Sequence, residues 1–217
     1  MRISWVFDVI SPFSYLSLKQ LPSLPSHVSV EFVPVLFAGL LDHYGQIGNA
    51  EIASKRRFTY RFALWRGRKL GLAMCLPPSH PFNPLMALRL IIAAGSDRRA
   101  VETVFDTVFM QGRDVSCVSV ISDLARALEV PDRQAALNDP AVKQRLRQNT
   151  EWAIARGVFG VPTFVVENEI FWGHDAFDMV LEYLLDPGQF QDPEMQKIET
   201  LPVGIVRPRS VRPTPSL

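Results

Sequence analysis

The sequence predicts a split α/β domain carrying a large helical insertion, and three observations carry that expectation. Residues 1–36 read as strand, helix, strand; residues 157–186 read as strand, strand, helix; and the block between them, 37–156, reads almost wholly as helices. Strand-bearing segments of this kind form one sheet with helices packed against it. A tail, 187–217, follows.

The first strand is Ile3 to Phe7, short, β-branched and aromatic, ending at Asp8. Ser11-Pro12 then opens a helix to about Gln20. Serine is a good N-cap, and proline at the first helical position loses only an N–H with no partner in the helix. Pro22 and Pro25 break the chain before Val28 to Val33, which alternates as a second strand.

In the middle block, Val101, Val104, Phe105, Val108 and Phe109 follow the spacing of a core-facing helix, as do Val118, Ile121, Leu124 and Leu128 with one gap. Residues 85–94 are apolar nearly all round, which predicts a buried helix. Asp139-Pro140 caps a helix to Arg156, and Gly157 ends it.

Thr163 to Val166 reads as a strand, and Glu167-Asn168-Glu169 turns it into Ile170-Phe171-Trp172 as a hairpin. Gly173-His174-Asp175 then starts a helix with Phe177, Val180, Leu181 and Leu184 on one face and Asp175 placed as N-cap. From residue 187 prolines interrupt the chain and no apolar period survives, so little regular structure is expected; Arg207, Arg209 and Arg212 suit a solvated tail or an acidic partner.

Composition excludes several function classes. A net charge of +1 over 217 residues gives no global pull toward nucleic acid or anionic membrane. No apolar run approaches the ~20 residues of a membrane span, and the first residues lack the order of a signal peptide, so a cytoplasmic protein is expected. Cys75 and Cys117 are too few for a disulfide scaffold, and with four scattered histidines they form no paired zinc spacing, so no metal is expected.

Two stretches carry chemistry. In Ser11-Pro12-Phe13-Ser14-Tyr15-Leu16 a serine stands at a strand-to-helix junction, where backbone N–H groups favour an anion such as a thiolate; the simpler reading is an N-cap. In Gly160-Val161-Pro162-Thr163 a proline just before a strand is a site for a cis peptide bond, with the Val161 backbone open to an extended ligand, or is an edge-strand proline alone.

Taken together, these two stretches in this order resemble a thioredoxin-like fold with a large helical insertion of the DsbA type. Ser11 to Ser14 takes the place of the redox Cys-x-x-Cys, and with serine at both ends dithiol–disulfide chemistry is not available there. Within that superfamily, Ser11-Pro12-Phe13-Ser14-Tyr15-Leu16, Pro34 to Leu41, Gly48-Asn49-Ala50-Glu51, His80 to Leu85, and Gly160 to Thr163 with Phe171 to Asp175 are similar to the 2-hydroxychromene-2-carboxylate isomerases and the kappa-class glutathione transferases.

The resemblance implies glutathione as cofactor, a small aromatic substrate, and a homodimer whose interface no apolar run locates. It implies that Ser11 hydrogen-bonds the glutathione sulfur, and that Val161 and Pro162 hold the cysteinyl part. Trp172, Gly173, His174 and Asp175 take the γ-glutamyl end, Asn49 also faces glutathione, and Phe13, Phe82 and Asn83 face the substrate. The chain departs from the family pattern at Ala176, where an arginine is usual, and in approximate register at Phe82, Leu41 and Glu51. His43 and His80 are read as hydrogen-bonded side chains or as substrate contacts. Arg56, Arg57, Arg61, Arg66, Arg68 and Lys69 are read as a solvated basic face or as attraction for an acidic ligand. Three functions stay open: a glutathione-dependent isomerase, a glutathione transferase, and a thioredoxin-fold binding protein without chemistry.

Overall fold

A computed structural model describes residues 1–205. The described chain divides into two units, Met1–Val180 and Leu181 onward. Arg207, Arg209 and Arg212 lie outside the described residues.

The first unit is a thioredoxin-like fold of the DsbA type. Strands β1 (Arg2–Phe7), β2 (Ser29–Pro34), β3 (Thr163–Val166) and β4 (Glu169–Trp172) form one sheet in the order β2-β1-β3-β4. β1 and β2 are parallel, joined through helix α1 (Pro12–Leu18), while β3 runs antiparallel to β1 and to β4. Thus β3, more than 150 residues after β1, lies beside it, which brings Val161-Pro162 next to the start of α1.

The two faces of β1 separate by the period of two. Trp5 and Phe7 stack at 4.6 Å and meet Phe105 of α5 (Arg98–Phe109), and the Trp5 indole N–H donates to Ser17 Oγ of α1 at 3.1 Å. On the other face Val6, Val33 and Val165 pack with Leu40 of α2 (Phe37–Tyr44) and Ala153 of α8 (Pro140–Ala155). The insertion contains α2, α3 (Ala53–Lys69), α4 (Leu85–Ala93), α5, α6 (Val118–Ala127), α7 (Arg133–Asn138) and α8. Ser11, Asp97, Asp132 and Asp139 each cap the helix they precede.

Two local expectations need correction. Helix α9 (Phe177–Leu185) starts two residues after Asp175, so Asp175 is not its N-cap. The chain turns first at Gly173, φ +100°, a conformation that favours glycine, and the Asp175 carboxylate folds back over it. In the second unit, residues 187–200 are not irregular: a 3₁₀ turn (Pro187–Gln191), α10 (Pro193–Lys197) and a second 3₁₀ turn (Ile198–Thr200) occur there. Asp186 and Asp192 cap the first two, each with proline at the first position, so these prolines start turns instead of breaking them.

Helix α3 presents two large apolar residues outward: Phe58 is 67% and Trp65 48% exposed, whereas Phe62 lies 6.0 Å from Phe13, and Ala63 and Gly67 are the buried positions. Small side chains let this helix approach closely, and an ideal Cβ on Gly67 would stand 2.5 Å from Met74 Sδ. Gly67→Ala tests the seam. Alanine gains ~0.8–1.0 kcal/mol of helix propensity, but overpacking costs typically ~1–3 kcal/mol. The expected net is about 1 kcal/mol of destabilisation in a urea melt; a stabilised variant contradicts a tight seam.

Candidate active site

Ser11 ends the β1–α1 connection in extended backbone, φ −89° and ψ 114°. Its Oγ accepts from the Ser14 N–H at 3.1 Å, the N-cap bond, and donates to the carbonyl of Val161 at 3.4 Å. The serine is nearly buried, at 8% exposure. Val161-Pro162 is a cis peptide, and the Val161 N–H has no hydrogen-bond partner among the described residues. The two stretches singled out in the sequence therefore meet, although they lie 150 positions apart.

Asp8 lies beneath this junction, fully buried. Its carboxylate accepts from the N–H of Ile10 at 3.0 Å and of Phe37 at 2.9 Å, tying the β1–α1 loop to the start of α2. Burial pushes its pKa up to about 7, against the lowering effect of those two N–H groups.

The hairpin end supplies the opposite wall. The Gly173 N–H donates to the Pro162 carbonyl at 2.9 Å, and the Trp172 indole lies against Gly160 and 5.1 Å from the Phe159 ring. His174 is 3% exposed and stacks on Phe13 at 5.2 Å, with an interplanar angle of 15°. Its Nε2 accepts from Arg66 Nε at 3.2 Å, which requires the Nδ1–H tautomer, and Nδ1 lies 3.8 Å from Asp175 Oδ1. Burial holds the His174 pKa below the ordinary value, opposed by Asp175 and aided by Arg66, so the ring is neutral near pH 7.

Phe82 is buried edge-on to His80, and Asn83 is exposed with Oδ1 accepting the Leu85 N–H at 3.0 Å. Asn49 is exposed in a 3₁₀ turn (Asn49–Glu51), and the Glu51 carboxylate accepts the Gly48 N–H at 2.7 Å. That turn borders a cleft of about 410 Å³ lined by Ala50, Glu51, Ala53, Arg56, Arg57 and Tyr60. His43 is exposed beside Tyr44.

His80 is a hydrogen-bonded histidine. Its Nδ1 bonds the Tyr60 hydroxyl at 2.7 Å and its Nε2 the Ile10 carbonyl at 2.6 Å, while Arg56 donates to its backbone carbonyl at 2.8 Å. Desolvation lowers its pKa, and Nε2 is the protonated nitrogen because a carbonyl only accepts. The sequence reading missed Tyr60, and it placed Arg66 in a basic face without its partner. The i, i+4 spacing of Arg56 and Tyr60 was the available signal, since it sets both on one face of α3.

Comparison with known proteins follows the same outline. The family model for the DSBA-like thioredoxin domain matches residues 2–185. The chain is 28% identical over 192 residues to a 2-hydroxychromene-2-carboxylate isomerase of Sphingobium xenophagum, covering 85% of this chain and 98% of that protein. It is 25% identical over 217 residues to glutathione S-transferase kappa 2 of Caenorhabditis elegans, covering 90% and 96%. A solved 2-hydroxychromene-2-carboxylate isomerase superposes with a TM-score of 0.77 at 24% identity, over 90% of this chain and 99% of that one.

Proposed function

Because the chain belongs to the DSBA-like thioredoxin domain family, we propose that it is a glutathione-dependent isomerase acting on a 2-hydroxychromene-2-carboxylate-like aromatic 2-oxo acid. The observation that carries this reading is the meeting of Ser11 Oγ with Val161, whose N–H lacks a partner among the described residues. A serine in the place of a redox cysteine leaves the nucleophilic sulfur to be supplied by the ligand.

The residues fit glutathione. The Val161 N–H and C=O offer one donor and one acceptor to an extended peptide. Trp172, against Gly160, makes an apolar wall, and Asp175 offers a carboxylate with 78% of its side chain exposed. When bound, glutathione supplies a thiolate that adds reversibly to a conjugated double bond, which makes that bond a rotatable single bond.

Ser11 has the role of donor to that sulfur. Its existing bond to the Val161 carbonyl is long, so turning the hydroxyl away from it costs little. Phe13, beside Ser11 in sequence and 6.0 Å from Phe62, offers an aromatic surface to the substrate. Phe82 packs against His80, whose Nε2 bonds the Ile10 carbonyl beside Ser11, while Asn83 holds the start of α4 and Asn49 is exposed. The free thiols Cys75 and Cys117 suit the cytoplasm.

The nematode kappa relative supports a second reading, a transferase that leaves glutathione on its product. Titration calorimetry with reduced glutathione, followed by product analysis with 2-hydroxychromene-2-carboxylate, tests both. One-site binding and isomer formation with glutathione unconsumed are expected. Net consumption identifies a transferase, and absence of binding rejects both.

A further inference from the structure

The carbonyl of Ile10 is held by a side chain that satisfaction alone does not require. Ile10 is only half-buried, and water serves a carbonyl in that position nearly as well. Instead the His80 Nε2–H donates to it at 2.6 Å, from a residue that is 9% exposed. Burying an imidazole costs solvation unless both of its nitrogens are paired, and here both are. The Tyr60 hydroxyl donates to Nδ1 at 2.7 Å, and Arg56 donates to the His80 carbonyl at 2.8 Å. Arg56 and Tyr60 stand about one turn apart on α3, the guanidinium 5.7 Å from the centre of the tyrosine ring.

The peptide held in this way is the one that carries Ser11. A peptide unit is planar, so fixing its two polar ends fixes the whole plane. The Ile10–Ser11 unit is fixed at both: His80 takes its C=O, and its N–H, that of Ser11, donates to the Asp8 carbonyl at 3.1 Å. On the far side the Ser11 backbone is tied into α1, where the Tyr15 N–H donates to the Ser11 carbonyl at 3.2 Å. Only χ1 then separates this frame from Oγ, and the Ser14 N–H holds Oγ at 3.1 Å. A tilt of the plane therefore moves the hydroxyl with it, and a misplacement of about 1 Å costs a reaction as much as ~10²-fold.

We propose that His80 is a positioning residue for Ser11: held by Tyr60 and Arg56 of α3, it fixes the Ile10–Ser11 peptide and so aims the Ser11 hydroxyl at the ligand's sulfur. This rests on the glutathione reading, in which Ser11 donates to that sulfur. In this role His80 touches neither sulfur nor substrate and acts through Ser11 alone. The helical insertion thereby sets the geometry of a donor that belongs to the thioredoxin-like part.

The test separates the two bonds of the ring. The amide nitrogen of glutamine lies as many bonds from Cα as histidine Nε2, and that of asparagine as many as Nδ1. His80→Gln therefore keeps a donor for Ile10, and His80→Asn does not. In His80→Asn the kcat of isomerisation is expected to fall about tenfold or more, and the thiol pKa of bound glutathione, followed by ultraviolet absorbance, to rise toward the free value of ~8.5. Calorimetric binding of S-methylglutathione, which has no thiol to ionise, is expected to match the parent. His80→Gln is expected to recover most of both losses. In a Ser11→Ala background His80→Asn is expected to change neither quantity, because the hydroxyl it aims is gone. Tyr60→Phe keeps the ring and removes only its hydroxyl; a smaller loss of the same kind is expected, and this variant carries the test where His80→Asn does not fold. A lower melting temperature with kcat and thiol pKa unchanged overturns the role, since His80 then only supports the fold. So does an equal loss in His80→Gln and His80→Asn, or a full further loss on top of Ser11→Ala. A parent that binds neither glutathione nor S-methylglutathione rejects the glutathione reading itself, and this role with it.

Discussion

Replacing Ser11 by alanine is expected to lower turnover of the isomerisation by about 10²–10³-fold, the effect of removing one donor from a developing or bound anion. The same change removes the N-cap of α1, which typically costs ~0.5–2 kcal/mol of stability. The two losses separate in a second variant. Glycine replaces a serine cap at a cost of only a few tenths of a kcal/mol, roughly, yet it too lacks the hydroxyl. Ser11→Gly is therefore expected to match Ser11→Ala in activity while melting close to the parent. The ultraviolet absorbance of bound thiolate against pH gives an independent reading. In the parent the glutathione thiol should titrate below the free cysteine value of ~8.5, and in both variants its pKa should move back up. Turnover within threefold of the parent in either variant contradicts a donor role for Ser11 and leaves it a helix cap.

Much of this arrangement is legible in the residues because local rules decide it. β1 is marked by its β-branched and aromatic residues, β2 by its alternation, α1 by Ser11-Pro12, the β3–β4 hairpin by its turn residues, and α8 by Asp139-Pro140. The same cap-and-proline pattern at Asp186-Pro187 and Asp192-Pro193 is easily misread, since a proline-rich composition suggests interruption whereas each proline occupies a first helical position. Helix α3 defeats the amphipathic rule for a different reason. Its buried seam is built from Ala63 and Gly67, so Phe58 and Trp65 mark the outer side while Phe62 turns toward Phe13. Contacts such as Arg66 with His174, or His80 with Ile10, join segments 108 and 70 positions apart. No periodicity encodes them; they depend on how the insertion packs on the sheet.

Asp8 illustrates the last kind, a residue that looks like the end of a strand and behaves as a buried acid. Its folded pKa of about 7 lies above the ordinary 3.8, so between those values the folded protein holds a proton that the unfolded chain releases. Stability from this group is therefore fully present below pH 3.8 and is lost as pH rises through 7. At ~1.36 kcal/mol per unit, the loss between pH 5 and pH 8 amounts to about 3 kcal/mol. His80 and His174, with pKa values held below 6.5, act in the opposite sense, losing stability as pH falls below that value. A melt of the parent alone therefore mixes the two effects, and the difference between the parent and Asp8→Asn isolates the carboxyl. Asparagine does not titrate, but its one carbonyl oxygen cannot serve both Ile10 and Phe37, and an unsatisfied N–H costs roughly 1–3 kcal/mol at every pH. Asp8→Asn should therefore be the less stable protein at pH 5 and should gain on the parent as pH rises, the gap in melting temperature changing by roughly 10 °C by pH 8. Parallel melting curves across that range would mean that Asp8 is ionised throughout. In that case a full negative charge would lie beneath Ser11, opposing a thiolate at the site, and the protein would have to overcome that repulsion with the Val161 N–H and the Ser11 hydroxyl alone.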